Sequence, residues 1–353
     1  MARMPRRTLR PLRIAVVGVG EVARRNYLPF LAQQPDVTLA CWNRTADRAA
    51  AVEREFGAKA LPSLAAVVEW RPDSVLVLTA ETCRHEIGTE LIRRGARRLF
   101  FEKPLVAVRG QSRVTEEDFF AGRAMLALAA RRKCETAMIF NYRFFEQSLA
   151  AKRVLAERRW GRPVTVTGLV HYACWSHCLD LVQCFAGSVT EVTALSGPRE
   201  RRGDRVDPAR DVAAAFVTAD GAAGTIVGTA GLKWQHPLFE LTFVFENGRL
   251  HLRDLDGTLE ILDGDRRQHE TIAFVRDESR WASYDESFRK SLAAYLQSLR
   301  DGAPPPIPGS DGLRELQFEA GLRRSIAERR PVVLAKEFPL GLRAPLTKKT
   351  RKA

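Results

Sequence analysis

Short apolar runs alternate with stretches of helical period through the first 140 residues of the chain. Runs at 13–17, 37–42, 74–79, 97–102 and 136–141, with a weaker one at 58–61, read as strands. Between them, apolar positions recur at helical spacing over about 21–33, 46–56, 63–70, 85–94 and 116–132. Gly57 and Gly95 stand where helices take a C-terminal cap, and Ser63 stands where one takes an N-cap. Strands alternating with helices of this length predict a parallel, doubly wound sheet.

After about residue 142 the pattern changes. Val164–Tyr172 reads as a strand leading almost directly into a short helix near 176–186. Hairpins follow. Asp220-Gly221 separates Ala213–Thr218 from Gly224–Thr229, Asn247-Gly248 separates Phe239–Phe245 from Arg249–Arg253, and Asp256-Gly257 precedes a further strand. These dipeptides supply the positive φ that tight hairpins require. Two helices close the chain. The first carries a capping-box pattern at Ser283 and Glu286 ahead of Phe288, Leu292, Tyr295 and Leu299. The second follows a proline-rich loop and is expected to be capped near Ser310 or Asp311. The fold class is therefore α/β: a doubly wound parallel sheet, then an α/β domain with an open, mainly antiparallel sheet. The expected divisions are a basic tail at 1–12, domains at 13–141 and 142–340, and a basic tail at 341–353.

Composition adds exclusions. Hydrophobic content of 45% and charged content of 28% are those of ordinary globular chains. No apolar stretch approaches the ~20 residues that span a bilayer. The formal charge of +14 invites a nucleic-acid partner until it is located. Residues 1–13 hold five arginines and no acid, and Arg343, Lys348, Lys349, Arg351 and Lys352 lie in an equally acid-free terminus. With the excess gathered in two sparse tails and no recognition motif beside it, no specific nucleic-acid partner is expected. The run Ile14-Ala15-Val16-Val17 is too short and too soon followed by charge for a secretory signal, so a cytoplasmic protein is expected. Six cysteines in a chain this long do not suggest a disulfide scaffold.

The chemistry begins where the first strand ends. Gly18-Val19-Gly20-Glu21-Val22-Ala23 is a G-x-G-x-x-A motif entering a helix. Gly18 permits the tight turn, Gly20 lets backbone approach a pyrophosphate, and Ala23 keeps helix and strand close, while the helix start offers N–H groups to phosphates. At the head of a βαβ unit this is a dinucleotide site of the Rossmann type. Sites for NAD usually hold a carboxylate at the end of the second strand; here the residues are Trp42-Asn43-Arg44-Thr45. Arg44, with Thr45 and Arg48, can hold a 2′-phosphate, so NADP(H) is expected over NAD(H). The alternative is that Arg44 is simply a solvated loop residue.

Leu99-Phe100-Phe101-Glu102-Lys103-Pro104 is an apolar strand ending in Glu-Lys-Pro, at the sheet edge where ligands of such sheets bind. Taken with the glycine motif, the Thr79…His85 helix start, Asn141-Tyr142-Arg143-Phe144, the Asn247-Gly248 hairpin and the terminal pattern Asp311-Gly312-Leu313…Pro331-Val332, the chain resembles the glucose–fructose oxidoreductase and inositol dehydrogenase (Gfo/Idh/MocA) family over nearly its whole length. The resemblance implies hydride transfer at the nicotinamide C4, with sugars and cyclitols as common substrates. It also implies dimers or tetramers formed through the second domain's open sheet. Lys103 matches the family's lysine, which holds the reacting oxygen and aids proton transfer, and Glu102 its neighbour near the nicotinamide ribose. His177, three residues before Asp180, matches the family's catalytic histidine.

The match has gaps. The family usually shows Asp four residues before that histidine and Gly two before it, where this chain has Ala173 and Trp175, and the usual loop is shortened. Tyr142, Arg143, Trp175 and Asp180 are weaker candidates for the substrate pocket, and Tyr172, Trp175, Tyr142 and Trp234 allow a more apolar one. Cys174, His177, Cys178 and Cys184 lie close in sequence but lack paired C-x-x-C knuckles, so no metal is expected. Two functional classes remain open: an NADP(H)-dependent oxidoreductase acting on a C–O or C–N centre of a small sugar-like or secondary-metabolite substrate, and a nicotinamide-binding protein without turnover, serving as sensor or interaction partner.

Overall fold

The computed structural model of the chain describes residues 10–203, 206–255, 257–274 and 279–341, so nearly all of both basic tails, and Asp256 of the Asp256-Gly257 turn, lie outside the described residues. Six strands make the first sheet: β1 (Leu12–Val17), β2 (Val37–Trp42), β3 (Lys59–Ala60), β4 (Ser74–Val77), β5 (Arg98–Phe101) and β6 (Glu135–Met138). All pairings are parallel, in the order β3-β2-β1-β4-β5-β6. The crossing helices are α1 (Leu28–Ala32), α2 (Ala46–Phe56), α3 (Leu64–Glu69), α4 (Glu81–Arg93) and α5 (Glu116–Arg131).

Local chemistry explains these boundaries. Gly57 closes α2 at φ 68°, and Ser63 Oγ accepts from Ala66 N at 3.1 Å. Helix α1 is the continuation of a π-helical turn, Ala23–Tyr27. Pro29 has no N–H for the Arg25 carbonyl, and just ahead of it the Leu28 amide reaches back five residues to the Ala23 carbonyl.

The second sheet has nine strands in the order β14-β13-β12-β11-β7-β10-β9-β8-β15. In chain order, α6 (Glu146–Arg158) precedes β7 (Pro163–His171), and α7 (Trp175–Ala186) separates it from β8 (Val189–Gly203), β9 (Val206–Thr218) and β10 (Ala223–Thr229). Then come β11 (Phe239–Phe245), β12 (Gly248–Arg253), β13 (Leu259–Asp263) and β14 (Gln268–Ile272). Last are α8 (Arg280–Asp301), α9 (Gly309–Glu328), β15 (Val332–Val333) and α10 (Leu334–Glu337). Among the described residues only β7 and β10 of this sheet pair in parallel, so the sheet is mainly antiparallel as expected. Helices α7 and α9 pack on one of its faces. The other face stays open, with Leu169, Leu195, Val217 and Val227 exposed.

Four expectations need correction. Helix α6 was not foreseen, and neither was β8, whose outer half from Ser196 on is polar and largely exposed. Helix α8 starts at Arg280 behind Ser279, so Ser283 and Glu286 lie inside it rather than capping it. Helix α9 starts at Gly309 with Pro308 as its N-cap, two to three residues ahead of the expected caps.

The closing helices return to the first sheet. From α8, Phe288, Leu292, Tyr295 and Leu296 join Ile14, Val16, Tyr27 and Phe100 in one core. Tyr295 shares a 2.7 Å hydrogen bond with Ser74, and Arg300 holds Asp36 through two bonds of 2.7 Å.

Candidate active site

Backbone geometry makes the first element of the site. Gly18 sits at φ 91° and donates to the Trp42 carbonyl at 2.9 Å. A Cβ there would lie 2.7 Å from Thr79 N, so only glycine fits between the ends of β1 and β4. A Cβ on Gly20, by contrast, meets nothing within 4 Å. Val19 N donates to Asn43 Oδ1 at 3.3 Å and Asn43 Nδ2 to the Thr45 carbonyl at 3.2 Å, which ties the end of β2 to the glycine turn. An open cleft of about 600 Å³ lies over the motif, lined by Val19, Gly20, Glu21, Arg24, Arg25 and Arg48. Arg24 pairs with Glu55, and Arg25 with Asp285 at 3.2 Å. Arg44, Thr45 and Arg48 are exposed, and neither arginine pairs with a carboxylate among the described residues.

The end of β5 supplies the second element. Buried Glu102 accepts from the Tyr27 hydroxyl at 2.7 Å and from Lys103 N at 2.8 Å. Burial, reinforced by Glu102, raises the Tyr27 phenol far above its ordinary range, so it remains a donor. Arg84, buried on α4, donates to the Thr79 carbonyl at 2.7 Å and to the Pro104 carbonyl, joining the ends of β4 and β5. The Lys103 ammonium donates to Gln111 Oε1 at 3.0 Å. Gln111 N in turn donates to Glu81 Oε1 at 3.2 Å, and Ser112 Oγ to Asp207 Oδ2 at 2.8 Å, so this short segment bridges the two sheets.

The third element is the start of α7. His177 is 2% exposed, stacks on Tyr142 with ring centroids 4.0 Å apart and 6° between planes, and meets Phe140 edge-on. Its Nδ1 is buried without a hydrogen-bond partner among the described residues. Burial first, then the Lys103 charge, pushes the imidazole well below the usual histidine range. It is therefore neutral at neutral pH, the state that can accept a proton. His177 lines a cavity of about 220 Å³ that the glycine-turn helix closes with Glu21, Val22, Arg25 and Asn26. Ala173 and Cys174 line it from the turn before α7, and Trp234, Leu238, Leu255, Trp281 and Tyr284 complete it with Tyr142.

Trp175 faces elsewhere: its Nε1 donates to Glu319 at 2.6 Å, and with Tyr172, Gln111 and Arg323 it lines a second cavity of about 400 Å³. Arg143 and Asp180 are brought together, but with each other, in two bonds of 2.8 and 2.5 Å, and Asp311 adds a third contact to Arg143 at 2.9 Å. Neither lines the two cavities flanking α7. Burial pushes the Asp180 carboxyl up to about 6 against the pull of Arg143. Cys174, Cys178 and Cys184 are free thiols, and no group of three or more candidate metal ligands occurs among the described residues. No described helix is long and apolar enough to cross a membrane.

The residues fit a dinucleotide. The turn at Gly18–Gly20 leaves open space over a helix start, and the Thr79 hydroxyl beside it is buried without a partner among the described residues. The family model described as an oxidoreductase family with NAD-binding Rossmann fold matches residues 12–137, and its C-terminal α/β domain matches 138–334. The chain belongs to the Gfo/Idh/MocA oxidoreductase family. It is similar to the dTDP-3,4-didehydro-2,6-dideoxy-α-D-glucose 3-reductase of Streptomyces violaceoruber, 28% identical over 192 residues, which is 54% of this chain and 44% of that protein. The match to a putative oxidoreductase of Salmonella typhimurium is also 28% identical, over 38% of this chain and 41% of that one, so less than half the length of these curated relatives is covered. Among solved structures, the WlbA dehydrogenase of Bordetella pertussis, in complex with NADH and UDP-GlcNAcA, shares the fold with a TM-score of 0.71 at 19% identity over 92% of this chain and 99% of that one.

Residues of this family member that the sequence did not single out are Tyr27, Arg84 and Gln111, with Asn26, Trp281 and Tyr284 in the His177 cavity. Arg24 and Arg25, directly behind the motif, were visible as a basic pair. The others lie in apolar stripes or loops whose long-range partners leave no local signal.

Proposed function

We propose that the chain is an NADP(H)-dependent oxidoreductase that moves a hydride between the nicotinamide C4 and a C–O or C–N carbon of a small ring-bearing substrate. The observation that carries this reading is continuity. Glu21 and Arg25, at the start of the helix behind the glycine turn, line both the arginine-rich cleft and the His177 cavity. A dinucleotide held at that helix start can therefore keep its phosphates in the cleft and its reactive end toward His177. When bound, the cofactor supplies or accepts the hydride. Lys103, held by Gln111, carries the positive charge that steadies a reacting oxygen, and neutral His177 takes the proton in the oxidative direction. The deoxysugar named for the Streptomyces reductase and the UDP-GlcNAcA of the Bordetella complex support a ring-bearing substrate.

Exposed Arg44 and Arg48, unpaired with any carboxylate among the described residues, and the lack of a carboxylate at 42–45 support NADP(H) over NAD(H). The open face of the nine-stranded sheet supports a homodimer or homotetramer. The test is a fluorescence titration with NADPH and NADH. Arg44→Ala is expected to weaken NADPH about tenfold or more, as loss of a charge-assisted pair does, and NADH less than about twofold. Equal effects would sink the cofactor preference, and absence of binding by either cofactor would sink the enzyme reading. Lys103→Met, expected to abolish turnover while sparing cofactor binding, separates the enzyme from a silent sensor.

A further inference from the structure

The reading above makes the His177 cavity the substrate site, and the character of its wall goes further than that reading. Its surface is mostly ring and hydrocarbon: Tyr142, Trp234, Leu238, Leu255, Trp281 and Tyr284. Position 173 contributes a methyl group and no carboxylate. The Tyr142 hydroxyl is already committed to Cys174 Sγ at 3.1 Å, and Arg25 at the rim to Asp285. Beyond the proton-accepting His177, whose Nδ1 also lacks a partner, and the exposed Glu21 at the rim, one buried side chain of the wall has a polar atom with nothing to bind. Asn26, 8% exposed and lining the cavity, has its Oδ1 buried without a hydrogen-bond partner among the described residues.

We infer that this cavity selects a largely deoxygenated six-membered ring, with Asn26 as the specificity-determining residue that accepts a hydrogen bond from one hydroxyl or amine other than the reacting group. A buried hydroxyl without a partner costs about tenfold or more in affinity, and a polyol placed here strands several. A ring with one polar substituent strands none and covers the aromatic wall with its apolar faces. The orphaned Asn26 oxygen costs the empty protein in the same way, and a donor on the ligand removes that cost.

The test is a saturation-transfer NMR titration of the full chain without cofactor, using myo-inositol, cis-1,2-cyclohexanediol, cyclohexanol and cyclohexanone. Affinity is expected to rise as hydroxyls are removed, at least about tenfold from myo-inositol to cyclohexanol. Asn26→Ala is expected to weaken cyclohexanol about fivefold or more while leaving cyclohexanone within about twofold, because only the alcohol donates. Myo-inositol binding as tightly as cyclohexanol, or no ring binding at all, overturns the inference. An equal loss for alcohol and ketone removes Asn26 from its role. The ring series in the unmutated chain decides the substrate class even if the variant does not fold. A parallel NADPH titration reports on the cofactor reading alone, so failure of one proposal is distinguishable from failure of the other.

Discussion

The two sheets differ in how many faces they bury. In β4 every residue from Ser74 to Val77 is buried, because helices cover the sheet on both sides. In β10 exposure alternates residue by residue, with Gly224, Ile226 and Gly228 inside and Ala223, Thr225 and Val227 outside. A doubly covered sheet holds its strand ends rigidly, and those ends carry Gly18, Thr79 and Glu102. A singly covered sheet carries His177 on a helix of its covered face and leaves its other face open.

The largest effect that sharpens this contrast is a charge placed in each sheet. Leu76→Asp, at a fully buried position, is expected to cost at least about 4 kcal/mol and prevent a cooperative unfolding transition, since the carboxylate has no partner there. Val227→Asp, 37% exposed on the open face, is expected to change the stability of one copy by no more than about 0.5 kcal/mol while shifting sedimentation toward monomer. Comparable unfolding losses at the two positions would break the comparison.

A middle-sized effect separates fold from site within the first sheet. Gly18→Ala is expected to lose about 1–3 kcal/mol in denaturant unfolding, from a positive φ and a collision with the Thr79 backbone. Gly20→Ala, with open space around its Cβ, is expected to leave stability within about 0.5 kcal/mol and to weaken NADPH binding instead. If Gly20→Ala lowers stability as much as Gly18→Ala does, or leaves NADPH binding unchanged, the cradle assignment fails.

The smallest effect concerns the covered face of the second sheet. The folded-state value of His177 lies well below the ordinary 6.5, so the unfolded chain binds its proton first as pH falls. Its contribution to stability is present above about pH 6.5 and declines below it, by about 1 kcal/mol between pH 6.5 and 5.5. His177→Phe is expected to flatten the pH dependence of unfolding by that amount over that window. An unchanged slope would show that the imidazole takes up its proton as readily in the folded protein as in the unfolded chain.

Much of the fold was legible because each sheet writes its own pattern. Continuous apolar runs such as Ser74–Val77 mark strands covered twice, and the Asn247-Gly248 turn between Phe239–Phe245 and Gly248–Arg253 marks a hairpin. Helix α6 was not legible because its buried face is built from Gln147, Ser148, Ala150, Ala151 and Val154, which show little apolar contrast. The outer half of β8 was missed because its partner is the equally polar start of β9, as in the pairing of Glu200 with Arg210. For the site, the glycine turn and the positions of Lys103 and His177 followed from motifs. Their partners did not. Gln111 meets Lys103 from a loop, and Tyr27 meets Glu102 across 75 residues, contacts that only the folded chain creates.

The placement of α8 has a consequence for biosynthesis. That helix comes from the last quarter of the chain, yet it supplies Phe288, Leu292, Tyr295 and Leu296 to the core begun by β1. A nascent chain that has left the ribosome through residue 141 presents Phe100 and Tyr27 without that cover. At ribosomal speeds the cover follows on the order of ten seconds later. Through that interval the nucleotide-binding half is a sticky intermediate that a chaperone or the rest of the chain must shield. A gene fragment encoding only that half would inherit the same exposed surface permanently.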